Sequence, residues 1–255
     1  MVVSEVVRRG SAQQKDNLCG PFNVARVLIE SGVFEWDHEP IDEDLIAMRA
    51  GTVLPDSNTT ISVPPGAVSR TGYRHQLSVA PVESSGTSAA SLVMAVEVAS
   101  RGALACVPIR GLWSAERVER LVAGAPEFEA RLIANVRTGR LWGSRPPLDV
   151  LLDELAGRPV QDPAADWDVG HFVELEMLLR GPERSLVVVR DSYPSLGWEG
   201  RHLQPPRVVA AALLRGDGRE GGVLGVVQSS RADVLIAHVR QLGLETGAWN
   251  NGTRS

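Results

Sequence analysis

Among 255 residues only one is lysine, Lys15, although the chain carries 26 basic residues against 31 acidic ones. Arginine supplies nearly all the positive charge, and it is scattered along the chain. With a formal net charge of −5, the surface lacks the clustered basic groups that phosphate recognition requires, which excludes a nucleic-acid partner. No run approaches the roughly 18 apolar residues needed to span a bilayer, so no membrane partner is expected. The start, Met1 to Arg9, places Glu5 within its short apolar part and has no small-residue cleavage site. It does not read as a secretory signal, and a cytoplasmic chain is expected.

Two cysteines allow at most one disulfide, and a chain of this length can bury a core without one. Cys106 lies inside Ala103-Leu104-Ala105-Cys106-Val107-Pro108-Ile109, an apolar run that reads as a buried strand, where a free cysteine acts as a small hydrophobe. Both thiols are read as reduced. The five histidines never pair at metal-ligand spacing. His38 sits in a charged stretch and His75, His202 and His238 stand singly, so no metal and no cofactor are expected. No Gly-x-Ser-x-Gly elbow supports a serine hydrolase, and the glycines near Gly216 and Gly221 lack the lysine and hydroxyl of a phosphate loop.

What remains is a cysteine in an informative setting. The segment Gln13-Gln14-Lys15-Asp16-Asn17-Leu18-Cys19-Gly20-Pro21-Phe22 leads into an apolar stretch ending near Ser31 and Gly32. Pro21 suits a first helical turn and Gly32 a stop. Cys19 then stands at a helix mouth, where unpaired N–H groups and about half a positive charge favour thiolate over thiol. Gln13, six positions upstream, has an amide suited to hold an oxyanion beside the Cys19 N–H.

The matching base lies far downstream. Phe172 to Leu179 and Leu186 to Val189 are β-rich runs joined across Gly181-Pro182, which predicts an antiparallel hairpin. His171 begins one strand and Asp191 ends the other, so imidazole and carboxylate meet at one end of the sheet. The carboxylate can orient the imidazole, which takes the thiol proton.

In this order of Gln13, Cys19, His171 and Asp191 the chain resembles the papain-like cysteine peptidase superfamily, including bacterial leader-peptide proteases and related acyl-transfer enzymes. The partners follow the cysteine at an interval compatible with the about 130–150 residues of that class. The stretch Asp191 to Trp198 is similar to the family's Asn-Ser-Trp-Gly region, in which an aromatic shields the histidine pair. Asn17-Leu18-Cys19-Gly20-Pro21-Phe22 departs from the papain signature and is closer to the Cys-Gly of the leader proteases. The resemblance covers two short windows, and about Gly51 to Trp167 match no named pattern.

That resemblance implies an α+β, papain-like fold, with an N-terminal nucleophile helix packed against an antiparallel sheet carrying the histidine and aspartate. It implies a single domain over 1–255, with a helix-rich lobe at about 12–51 and a β-rich lobe at about 165–230. Residues 52–167 would be an insertion or cleft-shaping region. The expected activity is that of a peptidase or amide hydrolase forming a thioester acyl-enzyme on Cys19, with a peptide or amide as substrate. A small acidic enzyme without a visible pro-segment fits peptide processing or natural-product biosynthesis better than degradation. Alternatives are an acyltransferase or peptide cyclase on the same triad, a catalytically inactive scaffold of the same fold, and, ranked lower, a transglutaminase-like fold.

Elsewhere, helices are expected at Asp42 to Ala50, from Thr87 or Ser88 to about Ser100, at Ser114 to Val122, Pro126 to about Ile133, Pro147 to Ala156, from Pro205-Pro206 through Leu214, and at Ala232 to Leu242. A strand is expected at Gly221 to Val227 and β-like pieces at Thr60 to Val63 and His75 to Val79. Leu132 to Trp142 fits strand and helix alike.

Overall fold

The computed structural model describes residues 13–56 and 62–253. Among these, the chain runs α1 (Cys19–Glu30), β1 (Glu35–Trp36), β2 (Glu39–Pro40), α2 (Glu43–Arg49), β3 (Val53–Pro55), β4 (Ser78–Ala80), α3 (Ala89–Ala99), β5 (Leu104–Arg110) and α4 (Ala115–Gly124). It continues with β6 (Arg131–Arg137), α5 (Leu148–Leu155), β7 (Gly170–Arg180), β8 (Ser185–Arg190), β9 (Arg201–Gln204), α6 (Pro206–Leu214), β10 (Gly222–Gln228), α7 (Ala232–Gln241) and β11 (Glu245–Thr246). The fold is α+β, with one seven-stranded sheet in the order β11-β5-β10-β6-β7-β8-β9. Every neighbouring pair in it is antiparallel.

Alternation along the central strands explains why helices cover both faces. In β6, Ile133 joins the cluster of Val24, Leu28, Leu45, Leu92 and Val96, while Leu132, Ala134 and Val136 join that of Leu121, Val209, Leu213 and Leu235. In β10, Leu224 and Val226 face the first cluster, and Val223 and Val227 the second. A period of two therefore buries both surfaces. Helices α1, α2 and α3 form one outer layer and α4, α6 and α7 the other. Each fully buried leucine or isoleucine here contributes about 1.5–3 kcal/mol of transfer free energy.

Local rules set the helix starts. Asp42, Ser88 and Ser114 each cap a helix by accepting from the backbone N–H three residues on, at 2.8, 3.1 and 3.2 Å, as short polar N-caps do. The hairpin of β7 and β8 forms as expected from Gly181-Pro182, with one register shift between Leu175 and Met177.

Three expectations change. Pro126 to Ile133 is not an α-helix: a single 3-10 turn, Ala125–Phe128, stops at Glu129, whose φ of 53° is left-handed, and β6 follows at once. Proline favours the turn's opening, but the alternating Leu132 to Val136 run satisfies its backbone in the sheet instead. The middle of the chain, read from the sequence as an insertion, supplies β5 and β6 of the same sheet as His171 and Asp191. The His75 to Val79 piece becomes a strand only from Ser78, in β4, which pairs parallel with β3; of the Thr60 to Val63 piece, residues 60–61 lie outside the described residues, and Ser62 and Val63 are in no strand. No described helix is long and apolar enough to cross a membrane.

Candidate active site

Helix α1 begins on Cys19 itself. Asn17 adopts a left-handed φ of 62°, a conformation asparagine tolerates better than most residues, and this bend delivers the thiol to the helix mouth. Unlike α2, α3 and α4, α1 has no side-chain cap: Leu18 occupies the N-cap. Its first N–H groups are therefore left for other partners. Gly20 follows because a Cβ there would lie 2.9 Å from Leu92 Cδ1 and 3.3 Å from Phe172 Cδ2. The helix mouth is pressed against α3 and β7 too closely for a side chain.

Asn23, one turn later, fixes α1 against β7. Its Nδ2 donates to the Cys19 carbonyl at 2.8 Å and to the Phe172 carbonyl at 2.9 Å. Further along the helix, buried Arg26 pairs with fully buried Glu174 at 3.1 Å, and Glu174 also accepts from Arg131 Nε at 2.6 Å. The ionic cluster closes with Arg190 on Glu30 at 2.9 Å. Breaking such a buried pair by removing one partner costs about 3–5 kcal/mol, so α1 is held in one register over the strands that carry the histidine and aspartate.

Within that frame Cys19, His171 and Asp191 come together. His171 and Asp191 are both buried, and His171 Nε2 lies 3.1 Å from Asp191 Oδ1. Tyr193 N–H donates to the same oxygen at 3.0 Å. With Nε2 occupied by Asp191, Nδ1 is the nitrogen free to serve the Cys19 thiol, on which the His171 side chain acts. Burial alone would push the Cys19 thiol up. The His171 hydrogen bond and charge, with backbone N–H groups of Phe172 and Gly20, outweigh it and bring the thiol below its ordinary value. Burial likewise opposes an imidazolium at His171, but Asp191 and Cys19 raise it to about 10. Asp191 is held well below the carboxylate range, because His171 first and His202 second overcome its burial. All three directions favour a thiolate–imidazolium pair.

Two aromatic rings cover the pair. Trp167 meets His171 edge-on with centroids 5.2 Å apart, and Tyr193 lies 5.8 Å from the same ring. Trp167 is brought there from the acidic loop before β7 by the forked bond of Arg137 to Asp168, at 2.5 and 3.0 Å, and by Thr138 Oγ1 on its carbonyl at 3.1 Å. Trp198, in the stretch that resembles the family's shielding region, is instead 55% exposed.

The strap before α1 divides its two glutamines. Gln13 turns to the loop at Val68, donating to that carbonyl, and does not line the cavity that Cys19 opens on. Gln14 does: its backbone N–H donates to Ser192 O at 3.1 Å, its Nε2 to Tyr193 Oη at 3.1 Å, and its Oε1 accepts from Ser192 Oγ. Extended neighbours point to opposite sides, so one residue's difference along the strap decides which amide faces the site.

The cavity measures about 450 Å³ and is lined by Gln14, Asn17, Cys19, Trp167, His171 and Tyr193 at the chemical end, with Arg137, Asp168, Asp217 and Arg219 beyond. No group of three or more His, Cys, Asp or Glu among the described residues is placed to hold a metal ion. A thiol with an imidazole and carboxylate in line, at an uncapped helix mouth and facing a cavity, has the parts of a nucleophilic centre.

The fold and this constellation define an α+β protein with a paired thiol at a helix N-terminus. The chain belongs to a family of unknown function, DUF6885, matched over residues 3–250. Neither a curated protein nor a solved structure matches it.

Proposed function

We propose that the protein is a cysteine-dependent acyl-transfer enzyme of papain-like type, acting as a peptidase or amide hydrolase. The observation that carries this reading is the His171–Asp191 pair, buried beside the α1 mouth, with Cys19 and His171 lining one cavity and His171 lowering the Cys19 thiol. The Cys19 thiolate attacks a carbonyl carbon, and the electron pair of the C=O bond moves onto oxygen. The Cys19 N–H, at the free end of α1, stabilises that oxyanion. Gln14 and Tyr193 line the same cavity, and because the Gln14 amide donates to the Lys15 carbonyl and to Tyr193 Oη, the Tyr193 hydroxyl is the side-chain donor left for the role expected of Gln13. Collapse of the intermediate expels the amine, which takes the His171 proton, and leaves a thioester on Cys19. Water, deprotonated by His171, then releases the acid. An amine entering in place of water gives aminolysis or cyclisation from the same acyl-enzyme.

Asp191 keeps His171 in the tautomer and orientation this sequence requires, and Trp167 and Tyr193 exclude water from the pair. The expected class of substrate is a peptide or amide, in a role of peptide processing or biosynthesis. The test uses p-nitrophenyl acetate as a minimal acyl donor. The expected result is a stoichiometric burst of p-nitrophenolate and a single acetyl adduct mapped to Cys19, absent in Cys19→Ala and His171→Ala. An adduct elsewhere, or one formed equally by His171→Ala, would overturn the proposal.

A further inference from the structure

His202, which stands alone in the sequence, reaches the far side of the same carboxylate. It lies on β9 opposite Val189 of β8, so the turn that follows Asp191 folds it back beneath that residue. Its ring is buried, and its Nε2 is 3.9 Å from Asp191 Oδ2. Oδ1 is occupied by His171 and the Tyr193 N–H, which leaves Oδ2 to face His202.

Its protonation follows from a chain of bonds. Trp142 N–H donates to Gln204 Oε1 at 2.8 Å, and Gln204 Nε2 donates back to the Trp142 carbonyl at 3.0 Å. This reciprocal pair fixes which end of the Gln204 amide is which. The same Nε2 lies 2.9 Å from His202 Nδ1, and a nitrogen that accepts from an amide carries no proton. The ring is therefore neutral, with its proton on Nε2, aimed at Asp191.

We infer that His202 is a positioning residue that acts through Asp191, presenting a neutral N–H toward the second carboxylate oxygen at 3.9 Å so that the first stays committed to His171. The inference rests on the catalytic reading above. A neutral donor suits the task, since a second cation beside Asp191 would compete with the His171 imidazolium for its charge. The groups on this carboxylate are His171 from β7, Ser192 and Tyr193 from its own turn and His202 from β9, and Gln14 from the strap accepts in turn from Ser192 Oγ. Arg26 Nη1 approaches the Asp191 backbone carbonyl at 3.4 Å.

The test measures the rate of iodoacetamide alkylation of Cys19 between pH 4.5 and 8.5 in wild type, His202→Leu, His202→Gln and His171→Ala. His202→Leu is expected to move the inflection upward and reduce the rate at pH 5.5 by about tenfold. His202→Gln, which restores a donor near the Nε2 position, should recover most of that loss. An unchanged profile in His202→Leu, with the inflection of wild type intact, would overturn the role of His202 and leave the catalytic reading standing. A wild-type profile without an inflection below pH 8, unaltered by His171→Ala, would overturn both. Should His202→Leu not fold, the long-range ¹H–¹⁵N spectrum of the wild-type imidazoles decides. The neutral Nε2–H tautomer for His202 is expected, and a proton on Nδ1 would contradict the inference.

Discussion

The two thiols of this chain, Cys106 buried and Cys19 half-buried at the cavity, both meet an upward push from burial and are driven in opposite directions. At Cys106, in the middle of β5, burial pushes the thiol far up, and the charge of Glu97 pushes it further. At Cys19, on the mouth of α1, burial pushes upward as well, but His171 and the N–H groups of Phe172 and Gly20 reverse it. Desolvation is common to both, so a positive partner makes the difference. A buried cysteine is inert unless the fold brings an imidazole to it, and here the fold does so across the full width of the sequence.

The sharpest way to break that comparison is to convert one site into the other. His171→Ala should move Cys19 toward the state of Cys106, leaving it only the Phe172 and Gly20 N–H groups, and lower its alkylation rate at pH 6 by about 100-fold or more. Retention of the wild-type rate would mean that the helix end alone sustains the thiolate.

Glu43 offers an intermediate case, a half-buried acid whose partners only partly offset its burial. Burial raises its carboxyl to about 7, against the opposing Lys15 N–H, which donates at 2.8 Å, and the charge of Arg70. An acid whose folded value exceeds its unfolded value binds a proton longer in the native state. Its contribution to stability therefore falls as pH rises between the ordinary carboxylate range and about 7. The total is about 2–4 kcal/mol. Urea unfolding of Glu43→Gln across pH 4 to 8 should lack that slope relative to wild type, and parallel profiles would contradict the assignment.

The smallest effect is expected at Cys106 itself. Cys106→Ser places a hydroxyl in a sealed apolar site and should cost about 1–3 kcal/mol in denaturant unfolding. It should leave the Cys19 alkylation profile in place. A changed profile would show that the two thiols are coupled.

The sequence carries the parts of this account that depend on local pattern. A helix opening beside Cys19, the hairpin bearing His171 and Asp191, the helices near Asp42 and Ser88 and the Ser114 cap all follow from periodicity, glycine and proline positions, and short polar residues at helix mouths. What it does not carry is orientation and distant pairing. Gln13 and Gln14 are indistinguishable as letters, and only the direction of the strap sends one to Val68 and the other into the cavity. Trp167 comes from an acidic loop without a signal of its own, because the ion pair that carries it joins β6 to a residue 31 positions away. His202 reads as solitary because its partner lies at the other end of the loop that joins β8 to β9. In that loop Gly197 adopts a φ of 56°, and a Cβ would sit 2.1 Å from the Arg201 carbonyl oxygen.

The central claim is that Cys19 is a nucleophile activated by His171, and it is tested most directly by labelling both thiols of the wild-type protein together. At neutral pH, timed iodoacetamide quenching and peptide mass analysis should find Cys19 alkylated at least about 100-fold faster than Cys106, with the Cys19 rate already level well below pH 8. Equal rates at the two thiols, or a Cys19 rate still rising through pH 8.5 as an ordinary cysteine's does, would contradict it.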